Sequence, residues 1–343
     1  MPKIRLGGIK SFCNRAFLAS SSRNGDEVLR TICSGLAANR VNTGYLTYIA
    51  GVDESITAAC TKSMEAFSSC WYPGANGKES SAKLTGEIAR ISIYPHDQRP
   101  EVTACLLRIL VDNQIKPYGF GSSPGAITFI ISLRDFERTV RKLFDLFAFS
   151  TFDNYDSWRG SHTSPDFVVQ ETRCSYHEPV IHIYEFTHRD DLDLWYLKLP
   201  LDRLGRFSDV LSELGEPRLK MPFLTACQSP SEAAFHFVCA YDAAQHEIIE
   251  KTLNKNMPDC DYSRQGPVSI LFLHGPHFGD RYGIANACVT ALCKAGVRLL
   301  SMSCAVSSIS LVIDGNDLNR AIEALTPRFS NPGEEISGAP GTN

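Results

Sequence analysis

Residues 266–329, GPVSILFLHGPHFGDRYGIANACVTALCKAGVRLLSMSCAVSSISLVIDGNDLNRAIEALTPRF, decide the fold of this chain. Residues 268–273 are an apolar run. Two glycines and a proline then interrupt any regular element at 274–279. Over residues 284–295, apolar side chains recur at the spacing of one helix face. Gly296 follows where a helix would end with a positive φ. This half of the stretch therefore predicts a strand, a glycine-rich loop and a helix.

The second half of the stretch predicts a hairpin and another helix. Residues 299–304 and 308–313 read as two short strands, and the second alternates isoleucine and leucine with serine and valine. Asp314 offers cap chemistry, and residues 318–325 carry a second amphipathic pattern. The predicted order is β-α-β-β-α.

This order, together with three sequence motifs, resembles an ACT domain of the type found in the regulatory region of aspartokinases. That family has a glycine loop ending in P-G-[VI]-A, then A-L-x-x-x-G-[IV]-x-[IL], then I-S-x-V-[VI]. The matching positions are 279–285 (GDRYGIA), 291–299 (ALCKAGVRL) and 309–313 (ISLVI). Tyr282 replaces the usual proline, and Val306 stands where aspartokinases often carry glutamate. The identity of a ligand is therefore not carried over.

Weaker copies of the same pattern lie upstream, as expected for a chain built from repeats. In the first copy, the strand at 45–50 is followed by a predicted helix at 53–67, so one strand is missing or shortened. The predicted division is a degenerate unit at 1–71, a unit at 83–150, a linker hairpin plus unit at 151–262, the aspartokinase-like unit at 263–330 and a flexible tail at 331–343.

The predicted fold class is α+β, with ferredoxin-like βαββα repeats, antiparallel sheets and helices on one face. The repeats are expected to form two tandem pairs on either side of about residue 151. Pairing has a physical motive, because each small sheet leaves unpaired edge strands that docking edge to edge would cover.

Composition narrows the function classes. The 343 residues carry a net charge of -4, with 43% hydrophobic and 21% charged residues. Nucleic acid and anionic membranes are not expected as partners, because both favour a basic surface. No apolar run is long enough for a transmembrane helix. Twelve cysteines occur singly, without a C-x-x-C pair, which favours reduced thiols and a cytoplasmic location.

The resemblance implies a small-molecule site where the first loop of one unit faces the second strand of its neighbour. Glycines would let backbone N–H groups approach a carboxylate, and the helix N-terminus adds a favourable dipole. The candidate ligand-binding residues are His274, His277, Phe278, Gly279, Asp280, Tyr282, Gly283, Ile284, Ser301 and Ser303. The equivalent loops upstream supply secondary candidates, Tyr94, His96, Asp97, Gln98, Arg99, Asp202, Arg203 and Gly205.

Three other interpretations of these residues stay open. The glycine loop could be a tight turn that packs a partner unit and binds nothing. His274, His277 and Asp280 could ligate a metal, although no further histidine or cysteine is local, and no metal or cofactor is expected. Phe235 and Phe237 partly resemble the aromatic strand of RNA-recognition modules, although core packing fits the composition better.

The sequence contains no phosphate-binding loop, dinucleotide fingerprint, G-x-S-x-G or H-E-x-x-H signature. The resulting hypothesis is a non-catalytic regulatory protein, not an enzyme. It would bind an amino acid or related metabolite between ACT-like units, with a homodimer or a partner enzyme as its assembly. The alternatives are a scaffold protein that dimerises through its sheets without a ligand, and an enzyme with an unrecognised site.

Overall fold

The computed structural model describes residues 3–51, 53–68, 80–162, 181–275, 278 and 281–330. His277, Gly279 and Asp280 and the predicted tail at 331–343 lie outside these residues. Within them, the order strand, helix, strand, strand, helix occurs four times, so the fold is α+β with ferredoxin-like repeats.

The four units are named 1 to 4 in chain order. Unit 1 comprises β2 (Gly8–Ser22), α1 (Gly25–Ala38), β3 (Tyr45–Ala50), β4 (Ser55–Thr61) and α2 (Met64–Ser68). Unit 2 comprises β5 (Ser80–Tyr94), α3 (Pro100–Asp112), β6 (Pro117–Ser122), β7 (Ile127–Ser132) and α4 (Phe136–Leu146).

Unit 3 comprises β10 (Glu185–Pro200), α6 (Leu204–Gly215), β11 (Phe223–Gln228), β12 (Ala234–Asp242) and α7 (His246–Asn256). Unit 4 comprises β13 (Asp261–His274), α8 (Ile284–Lys294), β14 (Leu299–Ala305), β15 (Ser308–Asp314) and α9 (Leu318–Leu325). The smaller elements are β1 (Ile4–Leu6), β8 (Phe147–Phe149), α5 (Tyr155–His162), β9 (Ile181–His182) and β16 (Phe329–Ser330).

Unit 1 contains all three strands and both helices. The predictions of a missing strand and of a helix at 53–67 were therefore wrong. Residues 55–61 form β4, which pairs with both β2 and β3. Nearly all side chains of β4 are buried, on both faces of the strand. A strand buried on both sides shows no period-2 alternation, so its apolar residues could be read as part of a helix.

The twelve strands of the four units form one closed antiparallel ring, while β1 pairs with β8 and β9 with β16 in two small parallel sheets. Each unit places its third strand between its first and second, and the order around the ring is β10-β12-β11-β6-β7-β5-β2-β4-β3-β14-β15-β13. Units 1 and 2 join through their first strands, β2 and β5, as do units 3 and 4 through β10 and β13. These joints are the expected tandem pairs.

Second strands close the ring between the two pairs. β3 pairs with β14, and β6 pairs with β11. Every strand of the ring therefore has a neighbour on both sides. Two chains cannot dimerise through unpaired edges of these sheets, as the sequence led us to expect, because each edge strand already pairs with another strand of the same chain.

The ring is filled by an inner core and covered by two outer cores. The inner core draws apolar side chains from all four units, among them Tyr45, Ile130, Phe223 and Ile270. One outer core lies beneath the helices of units 2 and 3, and the other beneath those of units 1 and 4. The helices pack across the joints made by second strands, α3 on α6 and α1 on α8. Each outer core is therefore built mainly by two units, and Ile9 of β2 adds to the first.

In units 3 and 4, a short 3-10 turn leads into the second helix, and an aspartate caps each of these turns. The Asp242 carboxylate accepts a hydrogen bond from the Ala244 amide at 3.0 Å, and the Asp314 carboxylate accepts one from the Asn316 amide at 2.9 Å. An aspartate that satisfies free amides at a helix start is a standard cap. Among the residues that the structure describes, no helix is long and apolar enough to cross a membrane.

Candidate functional site

A crevice lies at the joint between units 4 and 1. Its unit 4 side is the start of α8 and the turn between β14 and β15. Its unit 1 side is the end of α1 and the residues leading into β3. Its volume is about 490 Å³ including the part open to solvent, but the centre of a water molecule can occupy only about 30 Å³ of it, room for a few water molecules at most.

The N-terminus of α8 forms the floor of this crevice. Gly283 has φ +84° at the position before the helix, and as a glycine it offers no side chain to cap the free amides of the first turn. Gly283, Ile284, Ala285 and Asn286 all line the crevice. Uncapped N–H groups at a helix start favour an anion, so a carboxylate is the group that this floor suits best.

The unit 1 wall combines apolar and polar groups. Leu36 and Val41 supply apolar surface, while Asn42 and Thr43 supply polar groups. Beside them, Gly44 packs so closely on the Arg90 guanidinium that any side chain at 44 would collide with it.

Arg90 lies over the Phe12 ring at 4.3 Å from its centroid. Burial lowers the pKa of Arg90 to about 10, so it stays cationic at neutral pH. Arg90 places a positive charge behind this wall, and Arg281 lines the crevice itself.

The thiols in the crevice walls are not nucleophiles at neutral pH. Burial raises the pKa of Cys33 to about 12, and burial also raises the pKa of Cys304 well above its usual range. Because the thiolate is the reactive form, these side chains act as small apolar groups. The crevice is suited to binding rather than to covalent chemistry through cysteine.

The structure brings together three of the predicted ligand-binding residues, Phe278, Gly283 and Ile284. Tyr282 is half-buried beside the crevice and does not line it. Ser301 and Ser303 are fully buried. Their hydroxyls donate to the Tyr48 carbonyl at 2.8 Å and to the Ser122 carbonyl at 2.9 Å, so they hold unit 4 against units 1 and 2.

His274 lines a different cavity, of about 780 Å³, together with the secondary candidates Tyr94 and Gln98. Its Nδ1 lies 2.9 Å from the Ser308 hydroxyl. Residues of all four units line this cavity, and the charged side chains of Lys10 and Glu185 there are exposed. This cavity is open to solvent at one end of the ring.

The other secondary candidates lie apart from both cavities. His96 is buried, and its Nε2 lies 2.8 Å from the Ser123 carbonyl. Asp97 is exposed and forms an ion pair with Arg99 at 3.6 Å. The remaining three, Asp202, Arg203 and Gly205, surround the start of α6, where Asp202 is exposed and Gly205 approaches Val111 of α3.

Phe235 and Phe237 are core residues, as the composition favoured. Both are fully buried on β12, and Phe237 packs on Phe207 of α6 with ring centroids 4.8 Å apart. A base-stacking strand needs exposed rings.

Sequence reasoning missed the whole unit 1 wall of the crevice, including Asn42 and Thr43. The resemblance placed the site between neighbouring units but gave no way to choose the neighbour. Unit 3 is adjacent in sequence, yet it contacts unit 4 through first strands. Unit 1, which faces the unit 4 loop, is the most distant unit in the chain, and no local signal identifies it.

The comparison with solved structures includes a match over nearly the whole chain. The crystal structure of an aspartate kinase from Synechocystis matches with a TM-score of 0.75 and 14% sequence identity, over 98% of this chain and 57% of that chain. The chain therefore spans little more than half the length of this neighbour. At this identity, the match shows the fold.

Two further matches are partial. The regulatory subunit of aspartate kinase from Thermus thermophilus matches over 43% of this chain and 99% of that subunit, with 12% identity and a TM-score of 0.39. An aspartate kinase from Clostridium acetobutylicum matches over 46% of this chain and 36% of that chain, with 15% identity and a TM-score of 0.38. No protein-family model and no curated protein sequence matches.

The hypothesis of a non-catalytic protein, not an enzyme, is contradicted by these comparisons. A solved structure that matches nearly the whole chain is that of an aspartate kinase, which is an enzyme. The hypothesis depended on the absence of short catalytic signatures. Such signatures detect only sites whose residues are close together in sequence, so their absence could not exclude an enzyme.

Proposed function

We propose that this chain belongs to an aspartate-kinase-type enzyme and forms a part that binds a small amino acid effector. The observation that carries the proposal is the crevice at the joint of units 4 and 1, within a fold shared with an aspartate kinase. The start of α8, where Gly283 offers no side-chain cap, suits the α-carboxylate, and Asn42 and Thr43 suit polar groups of the ligand.

The narrowness of the crevice gives binding a mechanical consequence. The crevice has room for only a few water molecules, so an amino acid must widen the gap between the end of α1 and the start of α8. α1 and α8 share one outer core, and their units are joined through β3 and β14. Ligand binding would therefore favour a slightly opened joint over the closed one, to the extent that affinity differs between the two.

The test is calorimetric titration of the purified chain with each of the twenty amino acids, using Gly283→Ala and Gly296→Ala as a matched pair. Both glycines have positive φ, +84° and +67°, so both substitutions strain the backbone by about 1–2 kcal/mol. Only Gly283 lines the crevice, where an added methyl would point at Ala37, 3.7 Å away. Gly296→Ala should bind as the wild type does, and Gly283→Ala at least about tenfold more weakly.

The amino acid that binds should also change the rate of ATP-dependent aspartate phosphorylation by the purified protein or by the complex with which it co-purifies. Trapping the acyl phosphate with hydroxylamine measures this rate. No heat with any amino acid would overturn the proposed site. Binding without kinase activity in either preparation would overturn the assignment to this enzyme class.

A further inference from the structure

Three side chains of metal-ligating types, from units 1 and 3, lie close together. Glu54 lies just before β4 in unit 1, whereas Glu232 and His236 belong to the β11–β12 hairpin of unit 3. One ligand atom from each of the three lies within 4.8 Å of the others. Units 1 and 3 are diagonal in the ring and share no strand pair.

We propose that Glu54, Glu232 and His236 form a binding site for one divalent transition-metal ion, of which Zn²⁺ is the best fit. Two carboxylates and one imidazole are common zinc ligands, and sites with three protein ligands keep a position for water. A cavity of about 310 Å³, lined by Glu232 and its neighbours Ser229 and Ser231, opens beside the cluster and leaves room for that water.

The imidazole is held so that one nitrogen faces the carboxylates. His236 is 2% exposed, its Nδ1 contacts the Tyr196 hydroxyl, and its Nε2 lies 2.9 Å from Glu232 Oε1. A hydroxyl can donate or accept a hydrogen bond. Tyr196 therefore satisfies Nδ1 in either tautomer. When Nε2 binds the metal, the ring proton is on Nδ1. The Nδ1–H group then donates a hydrogen bond to the Tyr196 oxygen.

The carboxylates are also held in place. Ser229 and Ser231 each donate to Glu54 Oε1 at 3.2 Å. Lys198 forms an ion pair with Glu232 Oε2 at 2.7 Å, which leaves Oε1 to face the imidazole. Partners that orient ligating side chains raise metal affinity, and this cluster has one for each ligand.

The surrounding charge favours a cation. Tyr196 experiences the charges of four carboxylates, those of Glu54, Glu232, Asp261 and Asp53. The Lys198 ammonium pairs with the Glu232 carboxylate and offsets one of these negative charges. A bound metal would link the β3–β4 turn of unit 1 to the β11–β12 hairpin of unit 3, a diagonal connection that the strand ladder does not provide.

The experiment treats the full chain with EDTA, removes the chelator and titrates ZnCl₂ and CoCl₂. One site per chain is expected, with a higher melting temperature, because the metal binds the native state. Glu54→Gln and His236→Gln should each weaken Co²⁺ binding by at least about 100-fold, since even outer partners of a metal site contribute about 10–100-fold. Glu216→Gln and His246→Gln, in unit 3 but remote from the cluster, should bind as the wild type does.

Two further readouts decide between this site and another. Co²⁺ bound by nitrogen and oxygen should lack the near-ultraviolet thiolate charge-transfer band that binding to cysteines would show. Metal should slow hydrogen exchange at residues 51–56 and 229–236. A thiolate band, or equal affinity in all four variants and the wild type, would overturn the proposal, as would absence of binding.

Discussion

At the residue scale, several buried polar side chains have incomplete hydrogen bonding. His96 is the clearest ionisable case: its Nε2 contacts the Ser123 carbonyl, while its Nδ1 has no hydrogen-bond partner among the residues that the structure describes. Burial, the largest cause, lowers the pKa of His96, and the charges that act on it come from Asp97, Arg99 and Lys220. The folded state therefore favours the neutral imidazole.

Acid should therefore destabilise the protein through His96. The unfolded chain takes up a proton on this side chain near pH 6.5, whereas the folded protein does so only at lower pH. Stability should fall below about pH 6.5 with a slope from this group of at most about 1.4 kcal/mol per pH unit. Urea unfolding at pH 7.5 and pH 5.5 should show a smaller difference in His96→Gln than in the wild type.

His188→Gln is the control, because His188 is exposed. An unchanged pH difference in His96→Gln would contradict the assignment of this acid sensitivity to His96.

At the element scale, second strands pack face to face across the ring. The Tyr45 hydroxyl of β3 donates to the Phe120 carbonyl of β6 at 2.8 Å, and the Thr225 hydroxyl of β11 donates to the same carbonyl at 3.1 Å. Thr47 and Thr225 are also in contact. The Tyr45 bond and the Thr47–Thr225 contact connect the units 1–4 side of the ring with the units 2–3 side, whereas the Thr225 bond to Phe120 lies between the neighbouring strands β11 and β6.

Tyr45→Phe should lower the free energy of unfolding by about 1 kcal/mol, the net contribution of one buried hydrogen bond. The loss stays small because the Phe120 carbonyl keeps its bond from Thr225. Tyr241→Phe is a matched control, since Tyr241 is equally buried but, within the part of the chain that the structure describes, its hydroxyl bonds only to the Met221 thioether, a weak acceptor. Equal losses in the two variants, measured by denaturant titration, would contradict a specific role for the Tyr45 bond.

At the scale of the whole molecule, the ring makes each tandem pair depend on the other. Units 1 and 2 alone would leave β3 and β6 as bare edges, and units 3 and 4 alone would leave β11 and β14. Each half would also expose its share of the inner core. Separation would split both outer cores, because each outer core takes side chains from both halves. Bare edges and exposed apolar faces drive association.

Residues 1–170 and 171–343 produced as separate chains should therefore assemble into a 1:1 complex when co-expressed. Light scattering should show that each half alone self-associates, because the only available partner for its edges is another copy. The intact chain serves as the reference for the folded complex. A half that is monomeric, with native-like circular dichroism, would contradict the interdependence of the two pairs.

The sequence by itself determined what depends on local chemistry. The β-α-β-β-α order of unit 4, its glycine before α8 and the aspartate cap at Asp314 follow from periodicity and backbone preferences over a few residues. The recurrence of this order in units 2 and 3 followed from the same signals. In unit 1 the signals failed at β4, because burial on both faces removes the alternation that marks a strand.

Only the tertiary structure decided which edges meet. Closure of the ring made unit 1, not unit 3, the opposite wall of the crevice, and it brought Glu54 to Glu232 and His236. Ring closure also buried Ser310 of β15. Ser310 and Leu311 are neighbours on one strand and point to opposite faces, so alternation alone would place Ser310 in water. Strand pairing between distant units depends on the shape and edges of whole sheets, which no local pattern in the sequence encodes.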